Sequence, residues 1–131
     1  MMVIDTNIYS AFMNGAQEPR ARILACDQIV VPLAVAAEIQ KGFLGGSRLE
    51  ENMNDWSKFM TATRAEIACP IVSTAGLFAQ LAMFCRQKGR VLSDNDLWIA
   101  ATALEIGEPL LTLDKDFSVL VGYSELEVIV L

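Results

Sequence analysis

Read for hydrophobicity alone, the chain alternates short, nearly unbroken apolar runs with longer stretches whose apolar residues recur three and four apart. The unbroken runs fall at residues 2–4, 28–31, 70–73, 109–112 and 126–131, and they are rich in Val and Ile. A strand covered on both faces has no reason to alternate polar with apolar residues. Continuous runs of this length therefore predict strands of a buried, mainly parallel sheet. The helical stretches lie at 33–43, 49–62, 76–88 and 95–106. The first starts just behind Pro32, a residue favoured where helices begin. The last starts behind Ser93 and Asp94, both good caps, and ends at Gly107 with Pro109 close beyond. Strand–helix alternation places helices on both faces of the sheet, and such sheets bind ligands beyond the carboxyl ends of their strands.

At 131 residues and 53% hydrophobic content, the expectation is a single domain over 1–131 with a substantial core. No apolar stretch reaches the roughly 18 residues of a membrane span. The opening MMVIDTN lacks the basic region of a secretory signal. Cys26, Cys69 and Cys85 are odd in number and widely separated, and there is no His. That excludes most zinc sites and the Ser-His-Asp and Cys-His triads, and it predicts reduced core cysteines in a cytoplasmic protein. Chemistry is left to carboxylates, hydroxyls, Lys or a metal.

Six acids draw attention by position. Asp5 closes the first apolar run, and Glu38 lies six residues past Pro32. Asp94 and Asp96 open DNDLWIAATAL, and Asp114 and Asp116 stand in TLDKDF. Carboxylates that gather without matching cations repel one another, and a divalent metal is the simplest positive partner. The net charge of −6 ordinarily argues against nucleic acid, but setting these six aside leaves ten acids against ten bases. The acidity is then local. Each acid also has an ordinary structural explanation. Asp5 can cap a following helix. Asp96 can be a first-turn acid stabilised by the helix dipole by about 0.3–1 kcal/mol. Glu38, in the apolar stretch VAAEI, can pair with Lys41, since an unpaired buried carboxylate is costly. Asp114 and Asp116 can belong to a polar turn. These explanations need separate coincidences, whereas a shared site needs one. Arg86, Lys88 and Arg90 form the densest basic patch, suited either to guiding a phosphate backbone or to ending a solvated helix. Trp98, Phe78 and Phe84 read as packing residues rather than base-stacking platforms.

In this order and at these spacings, Asp-Thr-Asn at 5–7, AEIQKG around Glu38, DLWIAATAL beginning at Asp96 and TLDKDF together resemble the PIN domain. The likeness is greatest to the VapC toxins of toxin–antitoxin pairs. It implies a three-layer α/β/α fold around a central, mainly parallel sheet of about five strands. The implied activity is a magnesium- or manganese-dependent endoribonuclease that hydrolyses RNA with metal-activated water. The alternative is a PIN-like metal-binding interaction module without nuclease activity. Asp5, Glu38, Asp96 and Asp114 match the metal-binding acids, and Asn7 and Thr112 match polar positions that support them. Asp94 stands beside Asp96, and Asp116 competes with Asp114 for the fourth place; their neighbours favour Asp96 and Asp114. The resemblance also implies an antitoxin partner, a homodimer and no association with membranes.

Overall fold

The computed structural model describes residues 1–123 and 125–131. From the N-terminus the elements are β1 (Met2–Ile4), α1 (Thr6–Met13), α2 (Gln17–Leu24), β2 (Ile29–Pro32), α3 (Leu33–Gly45), α4 (Leu49–Ala62) and β3 (Glu66–Ala68). There follow α5 (Val72–Gln87), α6 (Asp94–Ile106), β4 (Leu110–Thr112), a 3-10 helix (Lys115–Gly122) and β5 (Val128–Val130). The five strands make one sheet in the order β3-β2-β1-β4-β5, and every neighbouring pair is parallel. Val3 stands at its centre, opposite Val30 on one side and Leu110 on the other. Val3, Ile4, Val31, Leu110 and Leu111 are wholly excluded from solvent, which is why their runs carry no polar alternation.

The winding of this sheet creates the site. From β1 the chain steps outward through β2 to β3, then returns to lay β4 and β5 on the other side of β1. The direction reverses between β1 and β4, and at such a reversal the flanking connections diverge and leave a crevice at the strands' carboxyl ends. Asp5 follows β1 directly and Asp114 lies two residues beyond β4.

Four of the five expected strands and all four expected helices lie within a few residues of their predicted places. The run at 70–73 does not form a strand. Ile71 instead caps α5: its N–H donates to the Thr74 hydroxyl at 3.0 Å, and its carbonyl accepts the Thr74 N–H at 3.1 Å. Ile71 and Val72 are 62% and 92% exposed, so their apolar character reflects no burial. The fifth strand is β3, an edge strand paired only with β2 and largely open to solvent, so no apolar run marks it. Two helices, α1 and α2, occupy 6–24, where the sequence pattern assigns none. They are eight residues each and bury only two side chains apiece, too few for a periodic signal.

Helix α6 is the most enclosed, burying Leu97, Ile99, Ala100, Ala101, Thr102 and Ala103. A helix apolar on nearly every side belongs inside, and the alanines let its backbone approach its neighbours. It ends in a left-handed Gly107 at φ 77°, whose N–H reaches Leu104 O while the Glu108 N–H reaches Ala103 O. This is the terminating motif that glycine makes possible. Trp98 packs on Phe78 of α5 at 4.6 Å between ring centres, and Phe84 meets Tyr123 edge-on at 5.2 Å. Across the molecule Tyr9 of α1 sets its ring edge-on to Trp56 and Phe59 of α4. The expectation of core cysteines holds for Cys85 alone: Cys26 is half-buried and Cys69 exposed, because Cys69 lies just past the open strand β3. Among the described residues no helix is long and apolar enough to cross a membrane.

Candidate active site

Asp5 belongs to two elements at once. Its backbone N–H donates to Leu111 O at 3.0 Å, continuing the sheet, while its side chain caps α1. It is only 5% exposed. Its Oδ1 accepts the Thr6 N–H at 2.7 Å, and its Oδ2 accepts the Thr112 hydroxyl at 2.7 Å and the Asn7 side-chain amide at 3.1 Å. A carboxylate offers about four lone-pair directions. Three are filled here, and the open one is on Oδ1. Asp5 can therefore reach a further partner through a single oxygen.

Thr112, fully buried, stands between two of the predicted acids. While its hydroxyl donates to Asp5, the same oxygen accepts the Asp114 backbone N–H at 3.0 Å. Asn7 completes the stitch, its Oδ1 accepting the Leu113 N–H at 3.0 Å. The ends of β1 and β4 are thus joined by polar side chains beyond the last strand pairing. Asp114 also caps the 3-10 helix, accepting the Asp116 N–H at 2.9 Å, so the polar-turn explanation is realised in the same residue.

Glu38, half-buried on α3, finds its partner in Thr6, whose hydroxyl donates to Oε2 at 2.7 Å. Asp96, also half-buried, sits in the first turn of α6, and its N–H is capped by the Ser93 hydroxyl at 3.1 Å. Burial is the main cause pushing the carboxyl of Asp96 above its ordinary range, and the charges of Asp5, Asp114 and Glu38 push it the same way. Burial also leads in raising Asp5, with Asp114 adding to it and the bonds from Thr112, Thr6 and Asn7 working against it. Among the described residues no Lys or Arg acts on either acid. Asp94 and Asp116 are exposed, and neither shifts Asp5 or Asp96.

Asp5, Glu38, Asp96 and Asp114 are thereby coupled in one electrostatic neighbourhood, drawn from β1, α3, α6 and the segment after β4. Among the described residues no three such side chains close into a ready ion-binding group. Asp5, Glu38 and Asp114 are each turned to hydroxyl or amide donors, and no Lys or Arg among the described residues acts on Asp5 or Asp96. The donor set is oxygen throughout, and a hard divalent ion such as magnesium or manganese suits it better than a soft one.

The basic patch is solvent-exposed and divided. Arg86 lies in the last turn of α5 and Lys88 caps it, positions that complement the helix dipole. Lys88 and Arg90 border a depression of about 370 Å³ with Ser118, Val119 and Gly122 of the 3-10 helix. Arg86 and Arg90 border another, with Asp94. Thr6 is the functional candidate that sequence reading passes over. Only the unpredicted helix α1, starting at Thr6, turns its hydroxyl toward α3.

The PIN domain family matches residues 2–122, and the chain belongs to that family. It is similar to Ribonuclease VapC5 of Mycobacterium tuberculosis, 28% identical over 127 residues, covering 97% of this chain and 93% of that protein. Ribonuclease VapC1 of Haemophilus influenzae is 26% identical over 114 residues, 84% of each chain. Among solved structures, VapBC2 from Rickettsia felis bound to a promoter DNA fragment shares the fold. Its TM-score is 0.85 at 23% identity, over 99% of this chain and 98% of that one. The toxin–antitoxin structure VapBC-5 from Mycobacterium tuberculosis matches at 0.75 and 29% identity, over 98% of this chain and 97% of that one.

Proposed function

We propose that this PIN-domain chain is a divalent-metal-dependent endoribonuclease, the toxin of a cytoplasmic toxin–antitoxin pair. The observation that carries the reading is the setting of Asp96, a half-buried carboxylate in the field of three other acids with no cation acting on it. The likeness to proteins named as VapC ribonucleases, along nearly the whole chain, supports the reaction class. The likeness to VapBC toxin–antitoxin assemblies supports an antitoxin partner. A homodimer is part of the same proposal.

Asp5 and Asp96 would hold the principal magnesium or manganese ion, and Glu38 and Asp114 would act through water or a second ion. When bound, such an ion polarises a phosphodiester and acidifies water, which a site without His needs. The protein's own contribution is orientation. Thr112 and Asn7 occupy Oδ2 of Asp5, leaving Oδ1 to face the crevice partner. The Ser93 cap fixes the turn that carries Asp96. Asp94 and Asp116 flank the site as exposed neighbours. Arg86, Lys88 and Arg90 offer phosphate contacts along the approach of an RNA strand.

The test is direct. Purified protein incubated with a panel of structured RNAs should cleave in magnesium or manganese and stop on addition of chelator. Cleavage absent across the panel, with metal binding intact, would replace the nuclease by the metal-binding interaction module.

A further inference from the structure

We infer that Thr6 is a positioning residue that fixes two of the proposed metal-binding acids, Asp5 through its backbone and Glu38 through its side chain. The inference rests on the metal-dependent reading above and assigns a role within it to a residue outside the acidic set. Thr6 is the first residue of α1, immediately behind the cap. Its N–H reaches Asp5 Oδ1 and its hydroxyl reaches Glu38 Oε2, each at 2.7 Å. A hydroxyl has a single proton to donate, and here it is committed to a carboxylate 32 residues away in sequence.

Asp5 has three donors and a buried setting that admits few orientations. Glu38 differs. It is long, half-buried and on another helix, and among the described residues the Thr6 hydroxyl is the hydrogen-bond donor to its side chain. Without that bond the carboxylate keeps several rotamers, and the repulsion it shares with Asp96 turns it outward. With the bond, Oε2 is held in place and keeps one lone-pair direction while Oε1 keeps both, so an oriented carboxylate is left to face an ion or its water. Thr6 therefore ties the carboxylate of Glu38 to the turn that carries Asp5. Outer partners of this kind orient ligands and commonly change metal affinity when removed.

The experiment measures Mn²⁺ affinity by isothermal titration calorimetry on the full chain, without RNA. Thr6→Val keeps the branched shape and the backbone donor but removes the hydroxyl. It should weaken binding by about 10-fold, within the range known for outer-sphere substitutions. Thr6→Ser should retain the parent's affinity. In a Glu38→Gln background, Thr6→Val should cost little more, because the two residues act as one unit. If Thr6→Val melts earlier yet binds Mn²⁺ like the parent, the hydroxyl is a packing group and the inference is wrong. An equal loss with and without Glu38→Gln overturns it too. Should Thr6→Val lose its fold, Thr6→Ser against Thr6→Ala asks the same question. A parent chain that binds no Mn²⁺ overturns both this inference and the metal-dependent reading beneath it, whereas a parent that binds with an unaffected Thr6→Val overturns this inference alone.

Discussion

Two clusters in this molecule are built from the same parts, carboxylates and threonine or serine hydroxyls, and they behave as opposites. At the start of α5, Ser73 and Thr74 both donate to Oε1 of Glu105 on α6, the latter at 3.2 Å. One charge receives two donors, and the result is a tie between neighbouring helices. At the carboxyl edge of the sheet, Thr6 donates to Glu38, and Asn7 and Thr112 donate to Asp5, while the hydroxyls of Ser93 and Thr112 accept the backbone N–H groups of Asp96 and Asp114, and the repulsion is not relieved. Hydrogen bonds occupy part of the carboxylates' lone pairs, but they cannot cancel the charge that Asp5, Asp114 and Glu38 place on Asp96. The difference is net charge rather than hydrogen bonding. The helix tie is complete as it stands, whereas the sheet edge keeps a repulsion that, on the proposed metal-dependent reading, a cation would cancel.

The largest effect should separate the clusters by activity. Asp96→Asn should reduce metal-dependent RNA cleavage by more than the about 100-fold ceiling of outer-sphere substitutions, while Glu105→Gln should leave it near the parent's. Comparable losses in the two variants, measured as initial cleavage rates, would dissolve the distinction.

Next comes stability. Thr112→Val leaves the part-buried Asp114 N–H and the buried Asp5 Oδ2 each short of a partner, and should cost about 1–3 kcal/mol in urea unfolding. Ser73→Ala, at the exposed helix tie, should cost no more than about 1 kcal/mol. Equal costs would mean that the stitch between β1 and β4 holds no more than a surface contact does.

The smallest effect is a pH dependence whose sign follows from Asp5 and Asp96. Their folded carboxyls titrate above the unfolded ones. In the window between, the folded state binds more protons, so their contribution to stability falls as pH rises and returns on acidification. Metal-free Asp96→Asn should therefore melt above the parent at about pH 7, and the gap should narrow as pH falls through the raised folded-state titration. A gap that is constant with pH, or reversed in sign, would show that Asp96 carries no electrostatic burden in the absence of metal.

The sequence announced these two clusters unequally. Asp5, Asp96 and Asp114 stand at strand ends and helix starts, where apolar runs break, and that break is visible in one dimension. The caps of α6 were equally visible, since Ser93 and Gly107 act on residues within a few positions. Glu105 gave no sign, because its partners are 31 and 32 residues away on a different helix. Thr6 was hidden for the same reason, compounded by the absence of any periodic pattern for α1. The strand β3 was misplaced because an exposed edge needs no apolar run, while exposed Ile71 and Val72 supplied one nearby. Local signals were legible, and those that depended on which face meets which neighbour were not.

The pairing of β1 with β4 also sets a schedule. Asp5 leaves the ribosome well before Thr112, the residue that clamps it, which lies 107 positions later. Contacts of such separation close late, after the local helices have formed. A nascent chain that has delivered everything through α6 already carries Asp5, Glu38 and Asp96, yet has neither β4 nor Asp114. The acids cannot be gathered until the closing stretch has emerged to insert beside the first strand. On the proposed reading, a truncated product ending before β4 would lack both Asp114 and the Thr112 clamp and should cleave no RNA.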